Sequence, residues 1–329
     1  MAPDSQAPVR GGRSVSTEGP AAIRMEGLSK RLRRGITAVD HLDLEVATGS
    51  VLALIGPNGS GKTITMRMLL GLVRPTSGRV FLFGEEVRPG ARVLGRVGAL
   101  VDGPGFVPHL SGRRNLELAV RLIRISGGTA DLDAAIGMAG LGEAVIHPFS
   151  TYSHGMRYRL ALAQAMLGSP DLLVLDEPTT GMDPAQAADV HGAITTCAAA
   201  GVTVILSSHS MSEIERICTH AAILRSGRLL FAGSIPDLVG PTPVLIVEVD
   251  DSDRAAVVLA GLDGSPRISK IGPRSVAVVG DRPGMAEVVE HLEGASVEVS
   301  AVRPGGLEDS YLAVLGGASG NDRGDAARP

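Results

Sequence analysis

The sequence predicts an α/β protein with a parallel core sheet and a smaller α/β unit appended behind it. Three observations carry this. Short, largely apolar runs at 51–55, 171–175 and 202–206 each adjoin a helical pattern, which is how strands buried on both faces of a parallel sheet read. The glycine-rich stretch GPNGSGKT at 56–63 lies between the first of these runs and a helical segment. After Pro236 the strand–helix alternation restarts on a modest scale.

The elements follow in order. Residues 1–20 are rich in Pro, Gly, Ser and Arg without an apolar stretch, and are expected to form a disordered tail rather than a signal peptide. From 21 onward the alternation in LDLEV at 42–46 predicts an antiparallel strand leading into the buried strand 51–55, and TITMRMLLGL after the glycine loop has helical spacing. GRVFLFGEEV at 78–87 reads as a strand pair. Residues 112–168 are mostly helical by period, with NLELAVRLIRI at 115–125 and GMRYRLALAQAML at 155–167 as the clearest amphipathic runs. Asp183 followed by Pro184 supplies an N-cap and a proline at the first helical position, and Ser212 with Glu215 reads as a capping box. Beyond 236, LIVEV, a helix at 253–261, SVAVV, a helix at 284–293, VEVSAV and a helix at 307–315 give β-α-β-α-β-α for a domain at 237–315, with a second tail at 316–329.

Composition narrows the functional classes. A net charge of −4 argues against non-specific nucleic-acid binding. No apolar stretch reaches the ~20 residues needed to cross a bilayer, so the chain is not expected to be a channel itself. Cys197 and Cys218 are the only cysteines and stand apart from any histidine cluster, which fits buried thiols rather than a zinc site. Basic residues are nearly all arginine; Lys30, Lys62 and Lys270 are the only lysines, and one of the three sits inside the glycine loop.

That loop has the most explicit chemistry. Gly56, Gly59 and Gly61 let the backbone around Pro57, Asn58 and Ser60 turn its N–H groups toward phosphate oxygens; Lys62 adds a mobile positive charge and Thr63 a hydroxyl for Mg²⁺. A helix N-terminus at this point favours an anion further. In LLVLDEP at 172–178 the strand delivers Asp176 and Glu177 at its C-terminal end, where ligands collect in open α/β sheets. Asp176 is placed to hold Mg²⁺ through water and Glu177 to polarise an attacking water, the minimum equipment for phosphoryl transfer beside a phosphate cradle. A solvated turn is the plain alternative for the Asp-Glu pair.

With these motifs in this order the chain resembles the nucleotide-binding subunits of ABC transporters, a P-loop NTPase fold with parallel core sheet, antiparallel β subdomain and helical subdomain. The resemblance covers residues 21–236, and the domain at 237–315 is similar to that of bacterial multidrug and bacitracin-resistance subunits. It implies ATP and Mg²⁺ as cofactors, a second copy of the chain closing an ATP sandwich, a separate transmembrane permease, and a place on the cytoplasmic face of the membrane. YSHGM at 152–156 matches the signature position, so Ser153, His154, Gly155 and Met156 would face the partner copy's ATP; His154 stands where the family commonly has glycine. Asp183 in TGMDP resembles the residue bridging the two sites, and His209 in SSH at 207–209 resembles the histidine that touches the γ-phosphate.

Two positions depart from the family pattern. In VGALVDGPGF at 97–106, Asp102 replaces the usual glutamine; an ionised carboxylate only accepts hydrogen bonds, so Asp102 is expected either to contact Mg²⁺ or its water or to be a tolerated loop substitution. Bacitracin-type subunits similarly tend to carry an acid there, which turns the expected subfamily toward drug or peptide-antibiotic export. Leu32 holds the place where an aromatic usually stacks on adenine, and residues 1–80 contain no aromatic at all. Weak base selectivity is therefore expected, with GTP competing within about 30-fold of ATP, or ~2 kcal/mol. Two other readings remain open on the sequence: a soluble ABC-family ATPase acting in translation or DNA repair, and an ATP-sensing module with little turnover.

Overall fold

The computed structural model describes residues 20–125, 130–240, 244–262, 266–279 and 284–319. The tail expected at 1–20 lies outside the described residues except for Pro20, as does the second tail from residue 320. Two compact units divide after Gly233: Met1–Gly233 and Ser234–Pro329.

The first unit opens with β1 (Ala21–Arg31) and β2 (Thr37–Ala47), which pair antiparallel. In β2, Leu42, Leu44 and Val46 are buried while Asp43 and Glu45 face outward, as a half-buried strand requires. Next come β3 (Val51–Ile55), α1 (Lys62–Leu69), β4 (Ser77–Leu82), β5 (Glu85–Glu86) and β6 (Val97–Leu100). A helical region follows with α2 (Gly112–Ile125), α3 (Leu132–Ala139) and α4 (His154–Met166). The unit finishes through β7 (Leu172–Leu175), α5 (Pro184–Ala199), β8 (Thr203–Ser207), α6 (Met211–Ile217), β9 (His220–Arg225) and β10 (Arg228–Ser234).

Two sheets result. The antiparallel one has the order β2-β1-β4-β5; the six-stranded one has the order β10-β9-β3-β8-β7-β6, in which β3, β6, β7, β8 and β9 run parallel. Every residue of β3, β7 and β8 is buried, which explains why these strands read as apolar runs without alternation. Ile23, Leu28, Leu54, Met66 and Leu69 belong to one core cluster shared by both sheets and α1. The helical region has its own core, with Leu116 and Leu160 inside it and Phe106, Phe149 and Tyr152 stacked at ring spacings of 4.8 and 5.6 Å. Because β3, β6, β7 and β8 are parallel neighbours, the loops after all four emerge at the same edge of the sheet. That placement positions the site.

Helix starts follow local chemistry. Asp183 caps α5 by accepting from Gln186 N at 2.9 Å, with Pro184 first in the helix. The cap of α6 is Ser210, which accepts from Glu213 N, and not the expected Ser212; the helix starts two residues earlier because the pattern at 210–213 offers an equally good cap nearer the end of β8.

The second unit comprises α7 (Ile235–Val239), β11 (Val244–Val249), α8 (Ser252–Leu259), β12 (Arg267–Gly272), β13 (Ser275–Val279), α9 (Met285–Gly294), β14 (Val299–Pro304) and α10 (Leu307–Ser319). Its sheet is antiparallel in the order β12-β13-β11-β14, the ferredoxin-like β-α-β-β-α-β arrangement. The sequence alone did not mark β12, whose RISKIG breaks alternation at Ser269-Lys270; the strand is the antiparallel hairpin partner of β13. The last helix also continues through Ser319, past the tail expected from residue 316.

Candidate functional site

The glycine loop leaves β3 and enters α1 through backbone only glycine tolerates. Gly59 and Gly61 have φ of +78° and +106°, and a Cβ on Gly61 would lie 2.4 Å from the Ala38 carbonyl oxygen. Gly56 is as confined, with the Leu224 carbonyl oxygen 2.2 Å from where a Cβ would stand. Pro57, Asn58 and Gly59 are exposed at the crest. Ser60 turns inward instead: its hydroxyl is buried without a protein partner, and its N–H donates to Pro57 O at 3.1 Å.

Lys62 is 6% exposed and its ammonium donates to Gly56 O at 2.7 Å and Pro57 O at 3.3 Å, curling over the loop it belongs to. Burial pulls its pKa below the ordinary lysine value, while the carboxylates of Glu177 and Asp176 oppose that shift. Thr63, next on α1, donates its hydroxyl to Asp176 Oδ2 at 2.8 Å.

Asp176 and Glu177 leave the end of β7. Ser207, the last residue of β8 and wholly buried, joins them: its hydroxyl donates to Asp176 Oδ1 at 2.6 Å and accepts from Glu177 N at 2.8 Å. Glu177 has a φ of +50°, a left-handed conformation uncommon for a glutamate, and persistent backbone strain of that kind clusters at functional sites. Its carboxylate accepts from His209 Nε2 at 2.5 Å and from the Thr180 hydroxyl at 3.0 Å. Lys62, Thr63, Asp176, Glu177 and His209, drawn from three separate loops, thus form one connected constellation.

Asp102 stands at the exit of β6 with φ of +67° and is engaged by Arg67 of α1, through Nε at 3.1 Å and through Nη2. This contact raises the arginine pKa, the hydrogen bond to Asp102 being the largest cause. Arg67 was absent from the sequence reading because a lone arginine on a helix has no motif to mark it.

The other singled-out residues lie together at the start of α4 and α5. Ser153 caps α4, accepting from Met156 N at 3.3 Å. His154 Nε2 donates to Thr180 O at 3.0 Å, and Gly155 lies so close to Gln186 that a Cβ would meet its side chain at 2.7 Å. The signature segment is therefore packed on the TGMDP loop of the same chain, with Asp183 capping α5 beside it. Ser207 and Thr180 open the SSH and TGMDP segments that the sequence marks, but neither has a role assignable from the sequence alone.

The residues present fit a nucleotide and a metal ion. The loop forms a cradle whose depth is kept by glycines, and Thr63 and Asp176 present paired hard oxygen donors of the kind Mg²⁺ prefers. Among the described residues no group of three or more His, Cys, Asp or Glu is clustered so as to hold a metal ion.

A phosphate cradle on a parallel sheet, with a strand-end Asp-Glu pair and a following histidine, defines an ATP-binding cassette. The chain belongs to the ABC transporter family, whose profile matches residues 39–180. It is 35% identical over 308 residues to a daunorubicin resistance ATP-binding protein of Streptomyces coeruleorubidus, covering 90% of this chain and 95% of the relative. It is also 40% identical over 195 residues to the bacitracin transport ATP-binding protein of Bacillus licheniformis, covering 59% of this chain and 63% of that protein. Among solved structures, a dimeric post-hydrolysis state of an ATP-binding cassette bound to ADP and Pi matches with a TM-score of 0.58 at 21% identity, over 65% of this chain and 99% of the other, which supports the fold. The protein is thus an ATP-binding, ATP-hydrolysing subunit of the ABC transporter type.

Proposed function

We propose that two copies of this chain clasp ATP between them and drive a separate permease that exports drugs or peptide antibiotics. The observation that carries the mechanism is the placement of Glu177, held by His209 and Thr180 beside the Lys62–Thr63–Asp176 group. Residues 56–63 hold the phosphates through backbone N–H groups and Lys62. Thr63 and Asp176 would hold Mg²⁺, which when bound neutralises charge on the phosphate oxygens. Glu177 accepts a proton from, and orients, the attacking water, while His209 fixes the carboxylate that does so and lies where a γ-phosphate would be sensed. Ser207 sets the angle between Asp176 and the Glu177 backbone.

Each copy also offers the N-terminus of α4, with Ser153, His154, Gly155 and Met156, to the nucleotide of the other, and Asp183 bridges the two sites. Closure follows because the γ-phosphate gives the closed pair a differential affinity, and hydrolysis removes it. The loop of Asp102 and the helical region face the permease; in α2 the large side chains Leu118 and Leu122 are 40% and 67% exposed, an apolar surface that suits such a partner. Asp102, paired with Arg67, would link that surface to α1, and on release would act on Mg²⁺ or its water. No described helix is long and apolar enough to cross a membrane, so attachment to the cytoplasmic face of the membrane would come through the permease. The names of the daunorubicin and bacitracin relatives support the choice of cargo.

The clasp is tested by disulfide trapping between Asn58→Cys and Ser153→Cys, both exposed positions. A cross-copy disulfide that forms with ATP in a hydrolysis-deficient background, and not with ADP, is expected. Equal trapping in both states rejects the clasp. The cargo is tested by expressing the chain with its neighbouring membrane protein and measuring the inhibitory concentrations of daunorubicin and bacitracin.

A further inference from the structure

Behind the constellation lies a second polar group that the hydrolysis mechanism leaves unused. Glu213 of α6 accepts from the Thr179 hydroxyl through both oxygens, at 2.9 and 2.8 Å, and from the Ser208 hydroxyl at 3.0 Å. Thr179 and Ser208 are 9% and 5% exposed, and the Glu213 side chain is 19% exposed, so these contacts are largely shielded from water. His191 of α5, also buried, completes the surroundings: its Nε2 lies 3.5 Å from Glu213 Oε1, and neither ring nitrogen has a hydrogen-bond partner. Cys218 is a further titratable neighbour; burial first, and the Glu213 charge second, push its thiol up to about 12.

The positions clamped are telling. Thr179 precedes Thr180, which holds Glu177 Oε2; Ser208 lies between Ser207, which holds Asp176 and the Glu177 backbone, and His209, which holds Glu177 Oε1. Thus one carboxylate joins the loop after β7 to the loop after β8 at the residues adjoining every side chain that contacts Glu177. We infer that Glu213 is a positioning residue for ATP hydrolysis, fixing the Glu177–His209 geometry without touching substrate.

This inference rests on the roles given to Glu177 and His209. A low-dielectric hydrogen-bond group that holds two loops in one register restrains both together, and misplacement of a reacting group by ~1 Å costs up to about 100-fold in rate. The orphaned His191 nitrogen adds a specific expectation. In Glu213→Gln the amide oxygen can keep Thr179 and Ser208 while its NH₂ turns to His191, so glutamine should substitute well where alanine does not.

The test is steady-state ATP hydrolysis by the purified full-length chain, with thermal unfolding and ATP affinity measured on each variant. Glu213→Ala should lower kcat about ten-fold or more with KM for ATP within about two-fold, and Glu213→Gln should recover kcat to within about three-fold of wild type. Thr179→Val combined with Ser208→Ala, which opens little space, should reproduce the alanine loss and serves if Glu213→Ala fails to fold. Wild-type kcat in Glu213→Ala or in the double variant overturns the inference. So does a glutamine variant as slow as alanine, or a loss of kcat matched by a parallel rise in KM. Glu177→Gln, run alongside, separates the two failures: if it still turns over, the assigned hydrolytic roles are wrong; if it is inactive while Glu213→Ala is normal, only the role of Glu213 falls.

Discussion

The two units of this chain are both α/β, yet they use their polar residues differently. In the first, parallel strands deliver the loops after β3, β6, β7 and β8 to one sheet edge, and Lys62, Thr63, Asp176, Glu177, Ser207 and His209, from three of them, meet there. In the second, the order β12-β13-β11-β14 splits the strand exits between two edges, β11 and β12 ending at one and β13 and β14 at the other, and the polar groups serve local structure: Asp251 caps α8, Ser234 and Asp237 form a capping box on α7, and Asp309 binds Arg303 through both oxygens. Strand direction, more than composition, decides whether charged residues far apart in sequence can act on one ligand. Of the two free cysteines, both in the first unit, Cys197 is buried and Cys218 half-buried, and desolvation raises the pKa of both thiols.

The sharpest way to break the comparison is Glu177→Gln. It should reduce ATP turnover about 10²- to 10⁴-fold, the range for a lost general base, with ATP binding retained; unchanged single-turnover kinetics would remove Glu177 from the mechanism. Lys62→Ala is expected to weaken ATP binding about ten- to hundred-fold, the loss of a charge-assisted contact worth about 1.5–3 kcal/mol, as read by titration calorimetry.

In the second unit the corresponding change is structural. Asp309→Ala removes the buried carboxylate that accepts from the half-buried Gly306 N–H at 2.8 Å and from Arg303, and should destabilise that unit by about 1–3 kcal/mol, visible as faster hydrogen exchange in β11 and β14. The same contact has a pH signature. Arg303, aided by the Gly306 N–H, holds the Asp309 carboxyl below the usual carboxylate range, so its folded-state pKa lies below the unfolded one. Its contribution is then fully present above about pH 4 and is lost as the pH falls through the lowered value. An exchange pattern in β11 and β14 that does not change below pH 4 in wild type would contradict this. The smallest effect belongs to the exposed Arg67–Asp102 pair, whose side chains are 34% and 54% exposed. A double-mutant cycle on unfolding should give a coupling under about 1 kcal/mol; a larger value would mark the pair as a structural strut rather than a releasable contact.

Much of this protein was determined locally and is legible in the chain. Glycine is dictated at 59 by backbone φ and at 56 and 61 also by carbonyls that leave no room for a Cβ; buried parallel strands show as largely apolar runs; Asp183-Pro184 marks a helix start because both residues act within one turn. Ser212 misled for the same local reason, since the capping pattern at 212–215 competes with an equally good one at 210–213 and only the path of the chain out of β8 selects between them. Tertiary structure alone decided that Ser207 would bridge Asp176 and Glu177 across 31 and 30 residues, that Arg67 would hold Asp102 across 35, and that Glu213 would clamp Thr179 across 34. A serine, an arginine or a helical glutamate carries no signature of its own, because its role depends on which distant backbone the parallel sheet sets beside it.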